Sequence, residues 1–187
     1  MSTGHGHLDA SNKRIALLIA VLALFLALSE TLGKNAQTGA LSHNVDASNL
    51  WAFFQAKSIR QTVVRTAAEG MEVGRTSASP ETAATIAATL ERWNKNVGRW
   101  ESEPETQEGR KEIALRAKAA ETARDLSLAR YHHYELASAA IQIAIVLASA
   151  AVVTGIAALI WLTGALGFIG LLFTALGLWA PHSLHLL

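Results

Sequence analysis

The sequence predicts an all-α protein: three transmembrane helices, with an extramembrane, coiled-coil-like helical domain between the first and second. Three observations lead there. Charge is segregated, since residues 136–187 contain no Lys, Arg, Asp or Glu while residues 30–135 carry nearly all of it; a soluble domain mixes charge along its whole length. The middle of the chain repeats apolar residues at spacings of four and three, the period of a helix seam. Helix-stop signals fall between these segments, at Pro80, Pro104, Gly155 and Pro181.

A tail, residues 1–14, precedes the first span. The apolar run of residues 15–28 is short for a bilayer, which takes about 20 residues. No small-residue cleavage site of the A-x-A kind follows it, so it reads as an anchor rather than a signal peptide. The span extends through Leu32, with Lys13 and Arg14 snorkelling at its start. We place it at residues 15–32.

The extramembrane domain, residues 33–136, shows three helical patterns. In the first, Val45, Asn49, Ala52, Ala56, Ile59, Val63 and Thr66 form a heptad stripe expected to face the bundle. Only Gly33 interrupts the chain before it, so this helix is expected to continue the first span. The second begins at Ser79 as N-cap with Pro80 at the first helical position; its seam is Ala83, Ile86, Leu90, Trp93, Val97 and Trp100. An acidic segment, residues 101–108, interrupts. The third carries Leu115, Ala119, Thr122, Leu126, Ala129, His133 and Leu136 on one stripe and runs directly into the second span. Because the chain returns to the membrane face it left, the first and third helices are expected to form a stalk capped or flanked by the second.

The second and third spans are placed at residues 137–155 and 158–180, with a turn near Gly155 and a tail at residues 181–187. Trp161 and Trp179 are the expected interfacial anchors. Both spans carry small-residue faces: Ala140, Ala144, Ala148, Ala151 and Gly155 in one, Thr163, Gly167, Gly170, Thr174 and Gly177 in the other. Small residues let backbones approach closely, the main packing contribution in lipid. Such faces fit an intramolecular hairpin or contact between protomers.

Trp51, Phe53 and Phe54 fall within four residues, and at 100° per residue no single face buries all three. We assign this surface, with Lys57 and Arg60, to oligomer contact; an intramolecular core or an apolar ligand are the other covers. Arg65 adds to the basic charge of this helix, and a solvated face is the plain alternative for all three cations. Glu30, at the end of the first span, and Gln142, a strongly polar side chain of the second, are placed at a pore or helix interface.

The aromatic run NLWAFFQAKSIRQT (49–62), the opening NKRIALLIAVLALFLALSETLGK (12–34) and WLTGALGFIG (161–170) resemble the bacterial family called domain of unknown function 4337. The resemblance covers most of the chain, and the aromatic run is its most specific part. It implies a bacterial inner-membrane protein with no assigned activity, and it supplies no catalytic or binding residues.

No catalytic motif is found: no phosphate-binding glycine loop, H-E-x-x-H, G-x-S-x-G or dinucleotide fingerprint. With no cysteine and a net charge of +1, thiol chemistry is excluded and a nucleic-acid partner is not expected. His5, His7, His132, His133, His182 and His185, with Glu135, are the remaining metal candidates, but their spacing matches no ligand pattern. We expect no enzyme activity, no cofactor and no metal. The expected partners are the lipid bilayer, further copies of the chain, or another membrane complex. Lys13 and Arg14 argue for a cytoplasmic N-terminus and a periplasmic domain, against Lys34, Arg124 and Arg130 on the domain side.

Overall fold

The helix breakers of the sequence coincide with helix ends in the computed structural model, which describes residues 10–183. The described residues form four helices: α1 (Ala10–Arg75), α2 (Pro80–Glu101), α3 (Arg110–Thr154) and α4 (Ala157–Trp179). Among the described residues there is no strand. Three of the helices, α1, α3 and α4, are long and apolar enough to cross a membrane.

The first span and the first extramembrane pattern are one continuous helix, as are the third pattern and the second span. Helix α2 starts where expected, with Ser79 Oγ accepting from the Thr82 amide at 3.3 Å and Pro80 in the first turn. The α3–α4 turn rests on Gly155, whose φ of 70° lies in the left-handed region. A side chain there would cost roughly 1–2 kcal/mol.

The chain divides into two compact units: one holds the described residues up to Leu41 and from Arg124 onward, the other Ser42–Ala123. In the first unit Leu22, Ile141 and Ala144 form the core, with Leu18, Phe25, Leu26, Ile145 and Leu166 packed on it. The small-residue face of α4 is fully engaged there: Thr163, Gly167, Gly170, Thr174 and Gly177 are all buried. From α3, Ala144, Ala148 and Ala151 are buried, Ala140 is half-buried, and Gly155 is exposed at the turn. Contact is backbone-close, since a Cβ on Gly170 would stand 2.5 Å from Ile141 Cγ1 and 3.1 Å from the Ala137 carbonyl oxygen. Of the intramolecular and intermolecular options for these faces, the α3–α4 hairpin uses them within the chain. Trp161 and Trp179 are both strongly exposed.

In the second unit the seam of α2 lies as expected, with Val97 buried and Ala83, Ile86, Leu90, Trp93 and Trp100 half-buried. The stripe on α1 does not. Val45, Asn49, Ala52, Ala56, Ile59, Val63 and Thr66 all face outward. The buried side of α1 is instead Ala47, Lys57 and Gln61, with Leu50, Trp51, Phe54 and Val64 half-buried beside them. On α3, Leu115, Ala119 and Thr122 are likewise exposed, while Ile113 and Ala117 fill the interior; farther along, in the first unit, Leu126 and Ala129 are half-buried, His133 is buried and Leu136 is exposed. The reason is size. Trp51 and Phe54 each offer roughly 150–250 Å² of surface to bury, more than a stripe of Ala and Val, and they set the rotation of α1 against its partners.

Gly170→Leu is expected to destabilise the detergent-solubilised protein by about 1–3 kcal/mol through overpacking. Gly164→Leu should leave it unchanged, because nothing lies within 4 Å of a Cβ at Gly164. Thermal unfolding followed by circular dichroism tests the pair; equal losses would contradict the close α3–α4 contact.

Candidate functional site

The aromatic run of α1 lies in the second unit, and its side chains diverge as the 100° step requires. Trp51 turns inward and donates Nε1–H to Glu121 Oε1 at 2.9 Å. Its ring meets Phe54 edge-on, with centroids 5.5 Å apart. The Arg110 guanidinium lies 4.8 Å from the Phe54 ring centroid and donates Nη1–H to Gln61 Oε1 at 2.7 Å and to Glu101 Oε2 at 3.2 Å. Gln61 completes the set by donating to the Val97 carbonyl at 3.1 Å and to Glu101 Oε2 at 3.3 Å. Cation–π contacts at such distances contribute about 0.5–1 kcal/mol when exposed and more when desolvated.

The two cations assigned to an oligomer contact have intrachain partners in this unit. Lys57 is buried, stands 5.1 Å from the Phe53 centroid and donates to the Glu108 carbonyl. Arg60 lies 5.4 Å from the Trp100 ring. Of the five residues, Phe53 is the large apolar one whose other face is exposed.

The acidic 101–108 segment, which carried no role in the sequence, is the hub of this site. The Glu112 carboxylate accepts from Ser102 Oγ at 2.7 Å and from the Glu103 amide at 3.2 Å. It thereby ties the end of α2 to the first turn of α3, where a negative charge also suits the helix dipole. Gly109 is required by this closure: a Cβ there would stand 2.0 Å from Glu112 Oε2 and 2.4 Å from the Glu103 amide nitrogen. The Ser102 hydrogen bond holds the Glu112 carboxyl below its ordinary 4.5, against an opposing contribution from burial. Gln61, Glu101, Arg110 and Glu112 were not singled out by sequence reading. The available signals were Lys57 and Gln61 one turn apart on α1, and charged residues flanking Gly109.

In the first unit Glu30 and Gln142 come together. Gln142 Nε2–H donates to Glu30 Oε1 at 3.0 Å, and both side chains are exposed. One residue away, Ser29 and Thr174 make a buried hydroxyl pair at 2.9 Å. Thr174 donates to the Gly170 carbonyl, which leaves Ser29 as donor. The histidines do not converge. His132 Nδ1 is 3.9 Å from Glu135 Oε2, His133 is buried with both ring nitrogens lacking hydrogen-bond partners, and His182 is exposed. His5, His7 and His185 lie outside the described residues. Among the described residues no three metal-binding side chains come together.

Fold and site together define an all-α protein with three helices suited to crossing a membrane and a polar–aromatic clasp in its second unit. The family described as domain of unknown function (DUF4337) matches residues 11–180, and the chain belongs to that family. No curated protein and no solved structure matches it.

Because Glu112 titrates lower in the folded than in the unfolded chain, its stabilising contribution is present above the unfolded value and is lost as pH falls through the folded one. Glu112→Gln is expected to lower the melting temperature near neutrality and to flatten the fall in stability below about pH 5. Melting curves from about pH 7 to pH 3 test this; an acid limb as steep in the variant as in the parent chain would contradict it.

Proposed function

We propose that this chain is a multi-pass protein of a bacterial inner membrane that acts as a non-enzymatic homo-oligomeric scaffold. In this reading its N-terminus is cytoplasmic, its helical domain periplasmic, and its second unit joins copies of the chain or docks another membrane complex. One observation carries the proposal. The heptad stripe of α1 is intact over about six turns yet faces away from its own chain, with Val45, Ile59 and Val63 exposed by 56%, 64% and 61%.

A heptad seam that stays exposed in one copy is complementary to the same seam in another. Ala52 and Ala56 at its centre permit close helix approach, and Asn49 in a core position sets register as single buried asparagines do. Phe53 flanks the stripe and adds apolar area to it. The detergent-purified protein is expected to be oligomeric by light scattering. Ile59→Glu with Val63→Glu should weaken association by about a hundredfold or more, as loss of central interface residues does, with helical content kept. A strictly monomeric parent chain would end this reading.

A second reading, an oligomeric ion or small-solute channel, is favoured by a different observation: the exposed Glu30–Gln142 pair, which joins two of the helices suited to crossing a membrane. Repeated around a symmetry axis, such carboxylates form the charged ring that cation pathways use. Planar-bilayer recordings test it, the expected result being a cation conductance that Glu30→Gln reduces. Silent bilayers, or a conductance indifferent to that substitution, would remove the channel.

A further inference from the structure

The first unit contains a groove of about 340 Å³ formed by all three of its helices. Leu32 and Asn35 of α1, Ser127, Arg130 and Tyr134 of α3, and Leu178 of α4 line it. No Asp or Glu does. Helix direction orders these residues by polarity. Helix α4 runs parallel to the first part of α1, as Ser29 meeting Thr174 and Leu22 meeting Gly167 show. Helix α3 runs antiparallel, with Tyr134 against Gly177 and Ile141 against Gly170. Asn35, Arg130 and Ser127 therefore lie at or beyond the end of α4, while Leu32 and Leu178 lie on its apolar side. The groove opens where the exposed Trp179 ends the apolar helix, the depth at which lipid headgroups sit.

Two of its polar groups lack partners within the chain. Tyr134 is 3% exposed as a residue; its hydroxyl hydrogen-bonds to no described residue and is not one of the fully buried atoms without a partner, so it reaches the groove surface. Its ring tip lies on the α4 side, since a Cβ on Gly177 would stand 3.0 Å from Tyr134 Cζ, next to Leu178. Arg130, one turn before it on α3, is exposed and lines the groove with its guanidinium tied to no carboxylate among the described residues. A second groove, which also touches Tyr134, differs in holding Glu30, Lys34 and Glu135 together, two carboxylates against one ammonium, which disfavours an anion.

We propose that the Arg130 groove is a binding site for the phosphate of an anionic phospholipid. Arg130 supplies the charge and planar donors suited to phosphate. Asn35, Ser127 and Tyr134 add neutral donors, and the acyl chains leave past Leu32 and Leu178. Basic pockets between transmembrane helices bind anionic headgroups in this manner. A zwitterionic lipid offers the same phosphate, but its choline finds no carboxylate here.

The inference rests on the membrane reading above, and the first step separates the two. Membranes bearing the full chain are washed with alkaline carbonate; release of the protein would refute membrane insertion itself. Retained protein is then purified in detergent and titrated by native mass spectrometry with phosphatidylglycerol, phosphatidylcholine of the same acyl chains, and inorganic phosphate. Phosphatidylglycerol is expected to bind about tenfold tighter than phosphatidylcholine, and Arg130→Gln to weaken it about tenfold, the loss of one charged hydrogen bond. Lys34→Gln, on the other groove, is expected to leave binding unchanged. Equal affinity for both lipids, no effect of Arg130→Gln, or an equal loss with Lys34→Gln would overturn the site. Inorganic phosphate binding as tightly as phosphatidylglycerol would assign the groove to the free ion and overturn the lipid.

Discussion

The first unit depends on one close approach, that of α3 to α4 across Gly170 and Gly177. At Gly170 there is room for a hydrogen but not for a methyl group, because Ile141 and the Ala137 carbonyl occupy the space. Lipid tails are as apolar as leucine side chains, so helices in a bilayer gain little from hydrophobic contrast and rely on tight van der Waals contact. A glycine and threonine face answers that requirement twice over: it removes side-chain bulk, and its hydroxyls satisfy themselves locally. Thr163 donates to Leu159 O at 2.9 Å and reaches the Ala144 carbonyl of the facing helix at 3.3 Å. Once α3 is seated in this way, its rotation is fixed. Tyr134 falls on Gly177, Ile141 on the core with Leu22, and Gln142 on the outer side, where it meets Glu30.

The second unit is governed by a competition between two faces of α1. A helix with an aromatic face and a heptad face on opposite sides cannot bury both against the same neighbours. The aromatic side wins because Trp51 and Phe54 bring area and specific partners, Glu121 and Arg110, at once. Its cost is that polar groups are drawn into the interior with them. Buried Lys57 and Gln61 are tolerated because their donors end on the Glu108 and Val97 carbonyls. The Arg110–Glu101 ion pair at 3.2 Å is partly exposed, and a pair in that setting contributes about 0–1 kcal/mol. Its role is to orient Gln61 rather than to supply stability.

These two units explain which parts of the molecule were legible in the sequence. Breaks encoded by local chemistry were readable: the Ser79–Pro80 cap, the Gly155 turn and the end of α4 before Pro181 each follow from the conformational limits of a few residues. The small-residue face of α4 was readable because glycine spacing has few other uses inside an apolar helix. The facing side of α1 was not, since periodicity finds a stripe but does not say which partner covers it. Nor was the clasp around Glu112 and Gly109, whose chemistry depends on the path of a short irregular segment. The Glu30–Gln142 hydrogen bond joins residues 112 apart in sequence, and no local signal links them.

Polar groups in the apolar helices fall into three classes, and the classes carry different meaning. Hydroxyls such as Thr31, Ser149, Thr154 and Thr174 donate to the carbonyl four residues back; this satisfies them wherever the helix is placed and says nothing about partners. Glu30 with Gln142 and Ser29 with Thr174 are satisfied only when separate helices meet, so they specify how the three segments assemble. Tyr134 and Arg130 belong to neither class. Both line a groove that also holds Leu32 and Leu178, and helix packing among the described residues gives their side chains no hydrogen-bond partner. In the proposal above, polar groups of this third class serve a ligand outside the chain. At the level of Trp179 what surrounds the chain, in the membrane reading, is the headgroup layer, and the phosphates there are the acceptors these donors lack.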